Sequence, residues 1–348
     1  MQLVIGHRLV VRMLDRAASE DRLRHAYLFS GPARVGKTTV ARWLALRLNC
    51  QGPTPPCGNC RACRLILSAS HPDVRTIQRS AERDASFGLA LDIPQRSTRS
   101  AERVIGIDQV RALQHDASLA PHEARWKVYV IVGAESLSLE AANCLLKTLE
   151  EPQERVVLLL TVGETLDLPA TVISRCQVVR MGPVPATDIA AALVASHGCD
   201  ADQADLLARL SGGRPGWAIE AATEPTLLEE RNKALDDLEL TIRRSFRDRL
   251  GLAERLATDY SRDQGKVLQT LMLWQLFWWD VQLIQRGCGD LVTNVDRRET
   301  LGTLADCVSS AAVQAYLQSL ANAAQRLLQN VNPRLALEAL LLTSPTAS

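Results

Sequence analysis

Aromatic side chains are scarce in this sequence, net charge is nearly absent, and there is no long apolar run. Phe, Trp and Tyr together make up 4% of 348 residues, too few to suggest a groove on which nucleic-acid bases stack. Forty basic and 39 acidic residues leave a formal charge of +1, so no whole-chain field argues for strong independent DNA binding. No stretch of eighteen or more apolar residues occurs. The N-terminal segment carries Arg8, Arg12, Asp15, Arg16 and Glu20 at helical intervals. Neither a signal peptide nor a membrane span is expected, and the expected compartment is the cytoplasm. What remains is ordinary for a globular protein: 47% hydrophobic and 23% charged residues, in a chain long enough for two or three domains.

The stretch Gly31-Pro-Ala-Arg-Val-Gly36-Lys37-Thr38-Thr39 fits the phosphate-binding pattern G-x-x-x-x-G-K-[ST]. Its glycines let backbone N–H groups turn toward phosphate oxygens, its lysine reaches the β- and γ-phosphates, and Thr38 is placed to hold Mg²⁺. The context agrees. Tyr27-Leu-Phe29 reads as the end of a buried strand, and Thr39 to Leu48 reads as the helix that must follow, its N-terminal dipole adding to the anion site. The alternative is a structural relic that no longer binds nucleotide.

The acids that should complete such a site are missing. Trp126-Lys-Val-Tyr-Val-Ile131 has the β-branched, apolar character of a central parallel strand. Where a metal-holding Asp would follow it there is Val132, and where a water-activating Glu would follow there is Gly133. Glu135 is the nearest carboxylate that displacement can offer. The expectation is a site that binds ATP with Mg²⁺ and does not hydrolyse it.

Nine cysteines are present, and four cluster as Cys50-Gln-Gly-Pro-Thr-Pro-Pro-Cys57-Gly-Asn-Cys60-Arg-Ala-Cys63. Two overlapping C-x-x-C steps and a fourth Cys seven residues upstream suit tetrahedral Zn²⁺, and with all four positions taken the ion would be structural. Gly58 permits the turn between ligands. An iron–sulfur cluster is the runner-up. A zinc-dependent nucleic-acid-binding module is disfavoured by the near-neutral charge and the scarce aromatics. Cys144, Cys176, Cys199, Cys288 and Cys307 read as small buried hydrophobes.

Residues 1 to about 180 alternate helical and strand patterns, as a parallel sheet covered by helices requires. His71 to Ile77 and Val156 to Thr161 read as further strands, and Gln109 to Ala120 and Leu137 to Glu150 as helices, with Pro152 ending the second. Gln78 to Arg103 is polar and irregular, a pattern that reads as a solvated loop, with a DNA-contacting arm as the alternative. Past Met181-Gly-Pro183-Val-Pro185 come three short helical patterns, Thr187–His197, Ala201–Leu210 and Gly216–Ala222, and from Pro225 onward longer ones. Met272 to Asp280 holds half of the six tryptophans and predicts a helix covered on nearly all sides, by core packing and by another subunit.

Together these features resemble the bacterial clamp-loader subunits of the AAA+ superfamily. The resemblance rests on Arg24-His25-Ala-Tyr-Leu-Phe-Ser-Gly-Pro32, the four-Cys module, His71-Pro-Asp73, Ile107-Asp-Gln-Val-Arg111, Asn143-Cys-Leu-Leu-Lys-Thr-Leu-Glu-Glu-Pro152 and Leu168-Pro-Ala-Thr-Val-Ile-Ser174-Arg175-Cys176. It covers residues 1 to about 220; the helical remainder agrees in length and type. It implies an α/β AAA+ P-loop domain with a parallel sheet at 1–180 and its zinc module at 50–63. A small helical lid at 181–223 and an all-α collar that builds the ring at 224–348 would follow. In that family the Ser-Arg-Cys triplet carries an arginine finger, which completes the ATP site of a neighbouring subunit; Arg175 takes that position.

Departures from the family pattern select the kind of subunit. Motor subunits keep an acid pair where Val132 and Gly133 stand. The family's sensing threonine falls near Val162-Gly163, one step from Thr161, and its later sensing arginine falls on Gly216, so Arg214 would have to move to replace it. A chain without its own hydrolytic groups that keeps Arg175 is most similar to the delta-prime kind. The resemblance then implies a stator in a hetero-pentameric ring with gamma/tau-type motor subunits and a delta subunit, acting through the complex on a sliding clamp and primed DNA. Neither polymerase nor ATPase activity of its own is expected. The alternative is an ATP-hydrolysing gamma/tau-like motor subunit or another AAA+ DNA-repair ATPase.

Overall fold

Side-chain alternation along the central strands divides the apolar residues of the first half between two faces of one sheet. The structure is a computed structural model that describes residues 3–79, 89–90, 104–163, 168–243, 246–329 and 331–345. Of the stretch 78–103, read from sequence as a solvated loop or a DNA-contacting arm, all but Gln78, Arg79, Leu89 and Ala90 lies outside the described residues. The elements run α1 (Arg8–Ser19), β1 (Ala26–Ser30), α2 (Lys37–Asn49), α3 (Arg61–Leu67), β2 (Val74–Ile77), β3 (Leu89–Ala90), α4 (Ile107–Ser118) and β4 (Lys127–Ile131). Then come α5 (Leu139–Glu150), β5 (Val156–Val162), α6 (Ala170–Ile173) and β6 (Gln177–Arg180).

All pairings are parallel, in the order β3-β2-β4-β5-β1-β6. β1, β4 and β5 are buried at every position, as strands covered on both faces must be. Tyr27, Phe29, Val128, Val130, Val157 and Leu159 face a core with α1 and α2, which contribute Leu14, Val40 and Leu44. Leu28, Tyr129, Ile131, Leu158 and Leu160 face the opposite core with α4 and α5, which contribute Val110, Leu113, Leu145 and Leu149. This period-two split is the pleat of the strand expressed in sequence.

The remaining helices are α7 (Ala186–His197), α8 (Ala201–Leu210), α9 (Pro215–Thr223), α10 (Pro225–Arg243), α11 (Phe246–Arg262), α12 (Gln264–Gln285), α13 (Arg298–Cys307), α14 (Ser310–Leu328) and α15 (Pro333–Leu342). The chain divides into two compact units: residues up to Ile189 with Gly213–Gly216, and Ala190–Gly212 with Trp217 onward. In the second unit, Trp274, Phe277 and Trp278 of α12 are fully buried, and Trp278 meets Tyr316 of α14 edge-on at 5.5 Å. The buried Asp280 accepts N–H bonds from Thr293 and Asn294 at 3.0 and 2.7 Å. Arg231 of α10 clamps Asp296 through two bonds of 2.8 and 2.9 Å.

One sequence expectation needs correction here, and another is met only in part within this chain. This chain by itself covers most of α12 but leaves Met272 and Trp279 41% and 51% exposed, and Trp279 borders a groove of about 520 Å³ shared with Gln314, Leu317 and Gln318 of α14. Of the five scattered cysteines only Cys199 is buried, while Cys288 and Cys307 are exposed. The cysteine expectation took apolar surroundings as burial, which the helix end at Cys307 and the turn at Cys288 do not provide. The strand β6 went unread because it is four residues long with Gln and Arg at its ends.

Candidate functional site

The phosphate-binding loop lies between β1 and α2, on the edge of the sheet where the parallel strands end. The Gly31 N–H donates to the carbonyls of Gly163 and Val162 at 3.1 and 3.3 Å, anchoring the loop to the end of β5. A Cβ at Gly31 would stand 2.1 Å from the Met181 carbonyl oxygen, so no other residue fits. Gly36 has φ 110° and caps α2, a conformation open to glycine. Lys37, Thr38 and Thr39 form the first turn of α2, where free N–H groups and the helix dipole favour an anion. Lys37 Nζ donates to the carbonyls of Gly31 and Pro32 at 2.6 and 2.8 Å. Burial lowers the pKa of Lys37, and the charge of Glu135 opposes that fall.

Two further segments fasten the loop. A ring nitrogen of His7, Nε2, bonds the Val35 carbonyl at 2.9 Å, and the Gly216 N–H donates to the Arg34 carbonyl at 3.0 Å. A Cβ at Gly216 would lie 2.9 Å from that same oxygen. The position of the family's sensing arginine is therefore filled by close backbone approach. Arg214, two residues earlier, is buried, and burial together with the like charge of Arg34 pushes its pKa down to about 10.

At the end of β4, Val132 packs against the core on the α2 side. Gly133 has φ 67° and its N–H donates to Thr161 Oγ1 at 3.1 Å. Thr161 is buried and supports the backbone there. The two positions where metal-holding and water-activating carboxylates would sit thus carry an alkyl chain and a hydrogen. Glu135, in the short 3-10 turn Ala134–Ser136, is close enough for its charge to act on Lys37.

The cysteine cluster is brought together by the end of α2 and the start of α3. One sulfur from each of Cys50, Cys57, Cys60 and Cys63 lies within 4.8 Å of the others, a spacing four ligands of one ion require. Backbone amides already aim at these sulfurs. Cys50 Sγ accepts from Gly52 and Cys57, each at 3.3 Å. Cys57 Sγ accepts from Cys60 at 3.3 Å, and Cys60 Sγ from Gln51 and Cys63 at 3.5 Å. Burial pushes the Cys60 thiol up, but the amides of Gln51 and Cys63 outweigh it and hold the thiol down to about 6. Burial and neighbouring sulfurs drive Cys63 the other way. Four thiolates this close repel one another, and a bound dication is what lets all of them ionise. The donor set fits Zn²⁺: soft sulfur ligands, four in number, with the amides as a supporting shell. Gly52 is required because a Cβ there would meet Cys57 Sγ at 2.9 Å.

Arg175 follows α6, whose Val172 packs in the core on the α4 and α5 face of the sheet, while Cys50 and Cys63 belong to the opposite core. Its Nη1 donates to the Thr171 carbonyl at 2.9 Å, and its Nη2 pairs with Glu150 Oε1 at 2.6 Å. The side chain is 35% exposed.

Sequence reasoning missed two residues that shape this region. Asp73 is buried, and its carboxylate accepts the N–H groups of His122, Glu123 and Ala124 at 2.8, 2.9 and 3.0 Å. It thereby fixes the turn leading into β4. Asn49 makes a reciprocal pair with the backbone of Trp126, at 3.0 and 2.9 Å, which ties the helix before Cys50 to the same turn. The motif His71-Pro-Asp73 was visible, but nothing local shows that a carboxylate will cap a turn fifty residues away.

Among the described residues no helix is long and apolar enough to cross a membrane. Comparison with curated proteins finds the DNA polymerase III subunit delta' of Bacillus subtilis, 28% identical over 96% of this chain and 94% of that one. The DNA polymerase III subunit tau of the same organism is 35% identical over 50% of this chain, which spans 27% of the tau chain's length. Among solved structures, a DNA polymerase III gamma subunit-related protein of Thermotoga maritima superposes with a TM-score of 0.42 at 17% identity, covering 95% of this chain and 97% of that chain. The family model described as DNA polymerase III, delta subunit, matches residues 6–185, and that of the same subunit's C-terminal part matches residues 225–344. With both halves matched, the chain belongs to the DNA polymerase III delta-subunit family.

Proposed function

We propose that this protein is the delta-prime-type subunit of a replicative clamp loader. It acts in the cytoplasm as a stator that lends Arg175 to the ATP site of a neighbouring gamma/tau-type subunit. The observation that carries this reading is the pairing of a complete phosphate cradle, Gly31 to Thr39, with Val132 and Gly133 in place of carboxylates. A site so built has the cradle for Mg-nucleotide and no carboxylate to activate a water for hydrolysis. A half-exposed arginine after α6 has, in contrast, the chemistry to stabilise charge spreading over a γ-phosphate, since its guanidinium is a fixed charge with forked donors.

Three parts divide the work in this reading: the P-loop domain at 1–180, a lid at 181–223, and a collar at 224–348 that assembles the ring. Gly31, Gly36, Lys37, Thr38 and Thr39 hold the phosphates of ATP with Mg²⁺. Cys50, Cys57, Cys60 and Cys63 hold Zn²⁺, which joins the end of α2 to α3 as a structural cross-link. The ring contains motor subunits and a delta subunit, and places a sliding clamp on primed DNA. The test is copurification of the full chain with gamma/tau-type subunits, delta and the clamp. A protein that stays apart from them and turns over ATP alone would instead be the autonomous ATPase of the alternative reading.

A further inference from the structure

Arg175 does not project freely from α6; three groups hold it, one being the Ser174 hydroxyl oxygen, which accepts from Nη1 at 3.4 Å. Its own helical turn binds Nη1 through the Thr171 carbonyl at 2.9 Å, and Glu150 binds Nη2 at 2.6 Å. Glu150 is the last residue of α5, with Glu151 as its C-cap. A carboxylate at a helix C-terminus faces the negative end of the dipole, where it destabilises the helix. Two successive acids there are poorly explained by the stability of α5 alone, and the guanidinium of Arg175 offsets the charge of one. The pair bridges α5 and α6, and both partners stay open to solvent, at 35% and 50% side-chain exposure. Such a pair adds little to stability. What it does is restrict a side chain that has many rotamers when free.

We infer that Glu150 is a positioning residue for Arg175: it fixes the guanidinium at the edge of the domain before a neighbour's phosphate arrives. This rests on the reading of Arg175 as an arginine finger and extends it to the residue that aims the finger. Holding a catalytic group in place ahead of the reaction lowers the entropy lost at the transition state. Glu150 therefore acts on turnover and not on nucleotide affinity. A carboxamide at 150 still accepts a bond from Nη2 but carries no charge, so it retains part of the effect.

The experiment uses the full chain assembled with the motor subunits, delta, clamp and primed DNA. It compares kcat and KM for ATP across wild type, Glu150→Ala, Glu150→Gln, Arg175→Ala and the double alanine variant. The strength of an exposed ion pair sets the expected loss in Glu150→Ala at about two- to five-fold in kcat at the site Arg175 serves. That is roughly half to four-fifths of the turnover that Arg175→Ala removes. KM should stay constant, Glu150→Gln should fall between wild type and alanine, and the double variant should match Arg175→Ala. A Glu150→Ala complex as fast as wild type or faster, beside a slowed Arg175→Ala complex, would overturn the positioning role and leave the finger. Additive losses in the double variant, or a loss confined to KM, would overturn it equally. An Arg175→Ala complex at full rate would remove the finger itself, a pattern distinct from the others. If Glu150→Ala fails to assemble, Glu150→Gln alone decides by the same comparison.

Discussion

Cys60→Ser isolates the contribution of the metal better than any other change in the cysteine module. Cys60 caps α3, its Sγ accepting the Cys63 N–H, and serine is a good N-cap in its own right. The helix start therefore survives the change while one thiolate ligand is lost. Apparent binding free energies for structural Zn²⁺ are about 10–16 kcal/mol, so an even share for one of four ligands is about 2.5–4 kcal/mol. The loss is felt locally because Cys50 and Cys63 are buried in the same core as α1, α2 and the sheet. In the thermal transition of the unit that holds the module, that loss corresponds to a fall of roughly 5–15 °C. Elemental analysis should find one zinc per wild-type chain and little in Cys60→Ser. Stripping the wild type with a chelator removes the contribution of all four ligands and should lower its melting temperature at least as far as the variant's. Iron in place of zinc, no metal in freshly reduced protein, or a melting temperature indifferent to the chelator would refute the reasoning.

The isolated chain should bind Mg-nucleotide without turning it over, and Lys37→Ala should abolish that binding while ring assembly persists; calorimetry and a phosphate-release assay measure the two. Asp73→Asn places an amide N–H₂ against donors that now meet a carboxylate and should cost about 2–4 kcal/mol in urea denaturation near neutral pH. Burial raises the pKa of Asp73, but the three amides lower it further, for a net fall below the usual carboxylate value. Its stabilising effect is thus present above that usual value and lost as pH falls through the lower folded value, so the gap between wild type and Asp73→Asn should close below about pH 4. Gly31→Ala drives a methyl into the Met181 carbonyl and should lower stability by about 3 kcal/mol or more, together with nucleotide affinity.

What could be read from the sequence was whatever is encoded in local pattern. β4 and β5 are contiguous apolar runs because both of their faces are covered, and α8 spans Ala201–Leu210 as its pattern predicts, with the Asp200 side chain capping it. The P-loop and the four cysteines were legible because phosphate and metal demand particular residues at fixed spacing. Distance in sequence hid the rest. That Gly216 would press its backbone onto Arg34, that His7 would bond Val35, and that Glu150 would hold Arg175 all depend on tertiary approach between segments with no shared pattern. The exposed Trp279 shows a related limit: hydrophobic character marks surface to be covered but does not say whether the same chain covers it.

The central claim is that this chain completes an ATP site it does not own. The measurement that meets it most directly is the DNA-stimulated ATPase of the assembled complex with Arg175→Ala, with Arg175→Lys alongside. An arginine finger is worth roughly 10³–10⁵ in turnover at the site it serves, so that one site should fall silent while other motor sites continue. Total ATPase and clamp loading should then drop in part with the ring intact, and Arg175→Lys should rescue poorly for want of the planar fork. A complex containing Arg175→Ala that hydrolyses ATP and loads clamps at the wild-type rate would contradict the account and leave Arg175 as a structural partner of Glu150.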